Sequence, residues 1–233
     1  MADILPVPET LIFFHGLLKL IIGVVALIYA FLLIPKYKQK KSKITIFLLF
    51  TYIFTSLGMI FSGFDNFLGW DDLLGENTWL GFGFSQIFVG CANTAFIALY
   101  LEIFRVKENW NTSHYILWAS YAIVMLGSST LIMTYYSFLW PRVILLQNVI
   151  FLLLSILCFG LWTISSTRIL HRMDDAKYKT KFRSFQLMGI SFILLFIFFT
   201  LANLSDSPSF FTWFASFFMM LGFYFSYRGF LHS

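Results

Sequence analysis

The chain has 233 residues, of which 59% are hydrophobic and only 12% charged, with a mean hydropathy of +0.81. Soluble domains average about 45–50% apolar and about 25% charged residues, so this composition excludes a water-soluble fold and indicates a polytopic, all-α membrane protein in a lipid bilayer. A formal charge of +5 does not indicate nucleic-acid binding, because the basic residues sit in loops between apolar stretches rather than on one face.

Residues Met1 to Thr10 carry Asp3 and Glu9 where a cleavable leader would carry basic residues, so no signal peptide is expected. The first apolar span is read at Leu11–Ile34 and holds His15 and Lys19 on one helix face at i,i+4 spacing. A lysine at membrane depth costs about 2.5–3.5 kcal/mol on insertion scales, so the fold must satisfy it. With a cation beside it, His15 is read as a neutral, hydrogen-bonding imidazole. The next spans are Ile44–Phe64, Trp79–Phe104 and Tyr115–Phe138, then Val143–Ser166, Phe185–Leu204 and Phe210–Tyr227. Each approaches the length that crosses about 30 Å of hydrocarbon at ~1.5 Å per residue. Short turns at Trp140-Pro141-Arg142 and Ser205-Asp206-Ser207-Pro208 make their flanking helices antiparallel neighbours.

Charge then sorts the loops. One side receives Lys36, Lys38, Lys40, Lys41 and Lys43, then Arg105, Lys107, Arg168 and Arg172, and finally Lys177, Lys179, Lys181, Arg183 and Arg228. The other side receives Asp3, Glu9, Asp65, Asp71, Asp72, Glu76 and Asp206, with Arg142 as its one fixed positive charge. The positive-inside rule puts the N-terminus outside and the C-terminus in the cytoplasm. The expected architecture is a single seven-helix transmembrane bundle in the cell membrane. Lys36-Tyr37-Lys38-Gln39-Lys40 before the second span echoes Lys177-Tyr178-Lys179-Thr180-Lys181 before the sixth, and Asp65 and Asp206 follow at equal distances. A parallel 3+1+3 repeat around the fourth helix is therefore topologically allowed.

In outline, seven spans with the N-terminus outside resemble microbial rhodopsins, rhodopsin-like receptors and small 3+1+3 sugar transporters. Span Phe210–Tyr227 has no lysine for retinal, and Glu102-Ile103-Phe104-Arg105 has the ends of the receptor triplet at the wrong spacing. The five prolines (Pro6, Pro8, Pro35, Pro141 and Pro208) all fall at ends or turns of the spans, unlike those transporters. His114, His171 and His232 lie outside the spans, leaving no histidine pair for haem. No zinc motif, nucleophile elbow or intramembrane carboxylate pair is present. Neither an enzyme nor a bound cofactor or metal is expected. Cys91 and Cys158 fall within spans and read as core residues.

The polar groups within the spans cluster toward the acidic side. His15 and Lys19 lie about 6 and 12 Å from the outer end of the first span, and Gln86 about 10 Å deep, at ~1.5 Å per residue. Gln147, Asn148, Asp65, Asn203 and Trp213 complete the expected ligand site with Lys19, His15 and Gln86. Such a site suits a small anionic or polar ligand, or an internal pairing of Lys19 with Asp65. Taken singly, the amides Gln86, Asn93, Gln147, Asn148 and Asn203 are read first as helix-to-helix glue. Lys36, Lys38, Lys40, Lys41, Arg172, Lys177, Lys179 and Lys181 form the expected docking face for a cytoplasmic or membrane protein partner. The leading expectation is a receptor- or sensor-like protein that signals through that partner. A small-solute transporter or channel is the second expectation, and a structural subunit of a larger complex the third.

Overall fold

The computed structural model describes residues 9–40, 42–68, 80–105, 110–139, 142–204 and 208–231, with side chains described for most of them. Seven helices account for nearly all of these: α1 (Glu9–Lys40), α2 (Lys43–Leu68), α3 (Leu80–Phe104), α4 (Thr112–Leu139), α5 (Arg142–Leu170), α6 (Ala176–Leu204) and α7 (Pro208–Leu231). Among the described residues, six stretches are long and apolar enough to cross a membrane, in α1, α2, α3, α5, α6 and α7.

Local chemistry explains the helix ends. Asn111 caps α4, its Oδ1 accepting the His114 backbone N–H at 3.0 Å. Pro208 opens α7, where its missing N–H costs nothing. Two expectations from apolar content alone do not hold. Helix α1 continues through Pro35 to Lys40, so a proline lies inside it. The basic stretch expected as a loop between the fifth and sixth spans is mostly helical, with α5 running to Leu170 and α6 starting at Ala176. Lys, Gln and Arg are good helix formers, so a helix need not stop where it leaves the hydrocarbon.

Contacts along the helices give their directions. Gly63 lies against Gly16 and Leu20, and Gly23 against Ser56 and Ile60, so α1 and α2 are antiparallel. Phe61 meets Phe84 at 5.8 Å and Phe54 meets Phe88 at 6.4 Å between ring centroids, making α2 and α3 antiparallel. Phe159 against Phe196 with Trp162 against Phe185, and Gly222 against Phe192 with Gly229 against Phe185, give the same relation for α5–α6 and α6–α7. Between these triplets the neighbours run parallel. His15 packs on Trp213 and Tyr29 on Tyr227 along α1 and α7, while Phe96 packs on Phe159 and Tyr100 bonds Ser165 along α3 and α5. Helix α4 packs against α3 and α5.

Helix α3 is the centre of the bundle, with every residue from Ala92 to Leu101 buried. Its small residues Ala92, Ala95 and Ala98 let neighbours approach closely. Intramembrane hydroxyls are mostly satisfied within their own helices: Thr51, Thr55, Thr94, Thr163, Ser191 and Thr200 each donate to the carbonyl four residues earlier at 2.8–2.9 Å. Between helices, the Tyr52 hydroxyl donates to Ser226 Oγ at 2.8 Å and ties α2 to α7.

Close approach at Gly189 sets the α5–α6 spacing, since a Cβ there would lie 2.8 Å from the Phe159 carbonyl oxygen. Gly160 has open space at the same position. Gly189→Ala is expected to destabilise the protein by about 1–3 kcal/mol through overpacking. Gly160→Ala is expected to be neutral or to stabilise by up to ~1 kcal/mol through helix propensity. Thermal unfolding in nanodiscs measures both; equal effects would contradict this packing.

Candidate functional site

A cavity of about 350 Å³ lies between the two helix triplets. Helices α1, α2 and α3 line it from one side and α5, α6 and α7 from the other, with no side chain from α4 among the described residues. Lys19 faces it, as the cost of an intramembrane cation leads one to expect.

The cavity is chemically two-ended. Ser62 and Ser85 stand near the level where Phe61 meets Phe84, and Lys19 near the level of Gly63. Gln86 and Thr212 join them toward the end where α1 begins. Thr55 and Asn93 lie deeper, while Ser216 stands near the level of Lys19, given that His15 packs on Trp213 and Tyr29 on Tyr227. The far end is a floor of phenyl rings. Phe192 lies 4.7 Å from Phe159, 5.3 Å from Phe96 and 5.8 Å from Phe223 between centroids, and Phe96 lies 5.2 Å from Phe159. Beneath them Tyr52 packs on Phe223 at 5.7 Å.

The polar groups differ in what already occupies them. Thr55 spends its proton on the Thr51 carbonyl, so toward the cavity it can only accept. Asn93 Nδ2 donates to Ser155 Oγ at 3.4 Å, which is the helix-to-helix role expected of intramembrane amides. Gln86 differs: its residue is only 5% exposed, yet its side-chain amide bonds no described residue, and only its backbone oxygen accepts, from Ser129 at 3.5 Å. The amide opens on the cavity, where a bound molecule can both donate to it and accept from it.

Of the expected ligand residues, Lys19 and Gln86 line the cavity. His15 does not; it packs edge-on to Trp213 with centroids 5.8 Å apart, and its Nε2 is buried with no hydrogen-bond partner among the described residues. Trp213 is 43% exposed and lies outside the lining. Asn148 is buried but likewise outside it. The reason is rotational: His15 and Lys19 share a face only broadly, and one helical turn suffices to carry His15 toward α7 instead. The side chains of Gln147, Asp65 and Asn203 lie outside the described residues, so the pairing of Lys19 with Asp65 does too. The serine and threonine lining and the α6 and α7 aromatics were not singled out in the sequence. Their signal is the spacing Ala215, Ser216, Met219 and Phe223 on α7, which repeats at helical intervals along one stripe.

At the opposite end of the bundle, Lys36 and Lys38 lie on the last turns of α1 and are exposed, as is Arg172 just past α5. Lys179 is exposed on α6, 4.0 Å from Asp174, and Lys181 follows it half-buried. The side chains of Lys40 and Lys177, and residue Lys41, fall outside the described set.

No family model matches the chain, and neither a curated protein nor a solved structure matches it. Its chemistry therefore has to be read from the cavity itself.

The contrast between Gln86 and Tyr52 is testable. Tyr52→Phe removes an inter-helix bond and is expected to cost ~1 kcal/mol. Gln86→Leu removes an open amide and is expected to change stability by less than ~0.5 kcal/mol, or to raise it. Reversible unfolding in mixed micelles compares them; a Gln86→Leu loss as large as that of Tyr52→Phe would make Gln86 helix glue.

Proposed function

We propose that this chain is a seven-span, receptor- or sensor-like protein of the cell membrane that binds a small polar or anionic ligand between its two helix triplets. The observation that carries this reading is the cavity, whose wall holds both Lys19 and a Gln86 amide that bonds no described side chain. A Gln86 that served only to hold helices together would bond a neighbouring helix through that amide. In this reading α4 is the seventh span. The N-terminus and the polar end of the cavity face outside, and the basic helix ends face the cytoplasm. Binding there changes the packing of the triplets, and a separate cytoplasmic or membrane protein docks on Lys36, Lys38, Arg172, Lys179 and Lys181 to receive the signal. The chain acts as a binding protein rather than an enzyme.

A second reading, a small-solute transporter, draws on one observation. The cavity lies where α1–α2–α3 meets α5–α6–α7, each triplet antiparallel within itself, with the contacts α1–α7 and α3–α5 closing the ring. That is the packing a parallel 3+1+3 repeat would adopt, with its site between the repeats. Uptake into proteoliposomes separates the two readings.

Lys19→Met is expected to abolish ligand-dependent thermal stabilisation across a panel of organic anions, through at least about tenfold weaker binding, or ~1.4 kcal/mol. Stabilisation equal to that of the native protein would remove Lys19 from the site. The orientation has its own test. A fluorescent-protein fusion after Arg228 should fold and glow in the cytoplasm, and a cysteine placed beside Asp71 should react with an impermeant thiol reagent from outside. The reverse pattern contradicts the orientation.

A further inference from the structure

We infer that the ligand of this cavity is a planar heterocycle of oxopurine size with a cyclic-amide edge. Its N–H and C=O groups meet α2 and α3, and its ring face lies on α5 and α6. This rests on the reading that the cavity binds a polar ligand and narrows its class.

The two long walls of the cavity differ in chemistry. Among the described lining residues, α2 and α3 present Thr55, Ser62, Ser85, Gln86 and Asn93, spread over its depth between Met59, Val89 and Ala92. Helices α5 and α6 present Phe151, Phe159, Phe192, Leu195, Phe196, Phe199 and Ala202, with no polar side chain among the described residues. Helix α7 is mixed, setting Thr212 and Ser216 beside Ala215 and Met219. A ligand that matches both walls is polar along one edge and apolar over a face. A flat heteroaromatic ring has that distribution, and aromatic faces pack well against phenyl rings. A polyol would press hydroxyls against α5 and α6, where no lining side chain among the described residues can bond them.

The sense of the hydrogen bonds selects the edge. Gln86 is 5% exposed and its side-chain amide bonds no described residue, so it can donate and accept toward the cavity at once. A cyclic amide answers both with its own adjacent C=O and N–H. Deeper in, the polar wall mainly accepts. Thr55 has given its proton to the Thr51 carbonyl, and Asn93 Nδ2 donates to Ser155 Oγ, which leaves Thr55 Oγ and Asn93 Oδ1 as acceptors. They match further N–H groups on the ligand, which a carboxylate lacks. The class requires no particular charge and so does not depend on Lys19.

Size agrees with two fused rings. A volume of about 350 Å³ holds about a dozen water-sized groups at ~30 Å³ each. A bicyclic oxopurine with its carbonyl oxygens is of that size, and a single ring underfills the space.

Calorimetric titration in nanodiscs, with empty nanodiscs subtracted to remove partitioning, provides the test. The probes are hypoxanthine and xanthine at mildly acid pH, where both are neutral, and caffeine, which is xanthine with every N–H methylated. Xanthine and hypoxanthine are expected to bind at least about tenfold tighter than caffeine, as the loss of two neutral hydrogen bonds predicts. Gln86→Leu should reduce xanthine binding to the level of caffeine while leaving thermal stability unchanged. The caffeine comparison uses the native protein, so it stands even if the variant fails to fold. Caffeine binding as tightly as xanthine would overturn the amide-edge assignment. A hexose binding more tightly than either oxopurine would overturn the planar class and leave a ligand site. If no oxopurine binds while organic anions still stabilise the protein through Lys19, this inference fails and the proposed function stands. Binding of none of these molecules would overturn both.

Discussion

Without water, a bilayer offers no partner to a polar group, and every other feature of this bundle follows from that constraint. The threonines and serines of the spans answer it locally, by bonding the carbonyl one turn back. Tyr52 answers it across helices through Ser226. Neither solution suits an ammonium group on a long side chain. Lys19 faces a cavity between two helix triplets, where Ser62, Ser85 and Gln86 also stand.

Packing holds that cavity open. Lipid tails are as apolar as leucine, so helix association here depends on close contact rather than on the hydrophobic effect. Gly23 and Gly63 bring α1 onto α2, and Gly189 brings α6 onto α5. Large rings then prop the centre. Trp162 is fully buried, with Tyr100, Phe104 and Phe185 around it at 5.2–6.1 Å between centroids. With the helices clamped at these points and wedged below by aromatic side chains, the space at the level of Lys19 does not have to collapse. The function proposed for the protein therefore rests on rigidity near the basic end and on room toward the other.

Much of the architecture was legible in the sequence, because long apolar runs and short polar turns mark helices wherever they occur. Lys19 was legible for the same energetic reason: an intramembrane cation must face something. The identity of its companions was not. In a membrane bundle both the lipid side and the core side of a helix are apolar, so the amphipathic contrast that points a soluble helix inward is missing. That is why Gln86 lines the cavity while Trp213 turns partly outward and Asn148 is buried elsewhere. It is also why the aromatic floor of Phe96, Phe159 and Phe192 was indistinguishable from the other phenylalanines of the chain. Helix limits failed at the basic ends for a related reason. Apolar content reports where the hydrocarbon stops, whereas α1 and α6 extend their hydrogen-bonded turns past it through Lys36 and from Ala176.

The central claim is that the space beside Lys19 is a binding site and not a packing defect. A density map of the protein in nanodiscs, with the organic anion that stabilises it most, tests it most directly. The account predicts one non-protein density in the space between the two helix triplets, within hydrogen-bond reach of the Gln86 amide. A map in which Lys19 turns toward the lipid headgroups, with side chains filling the space between α2 and α7, would contradict it.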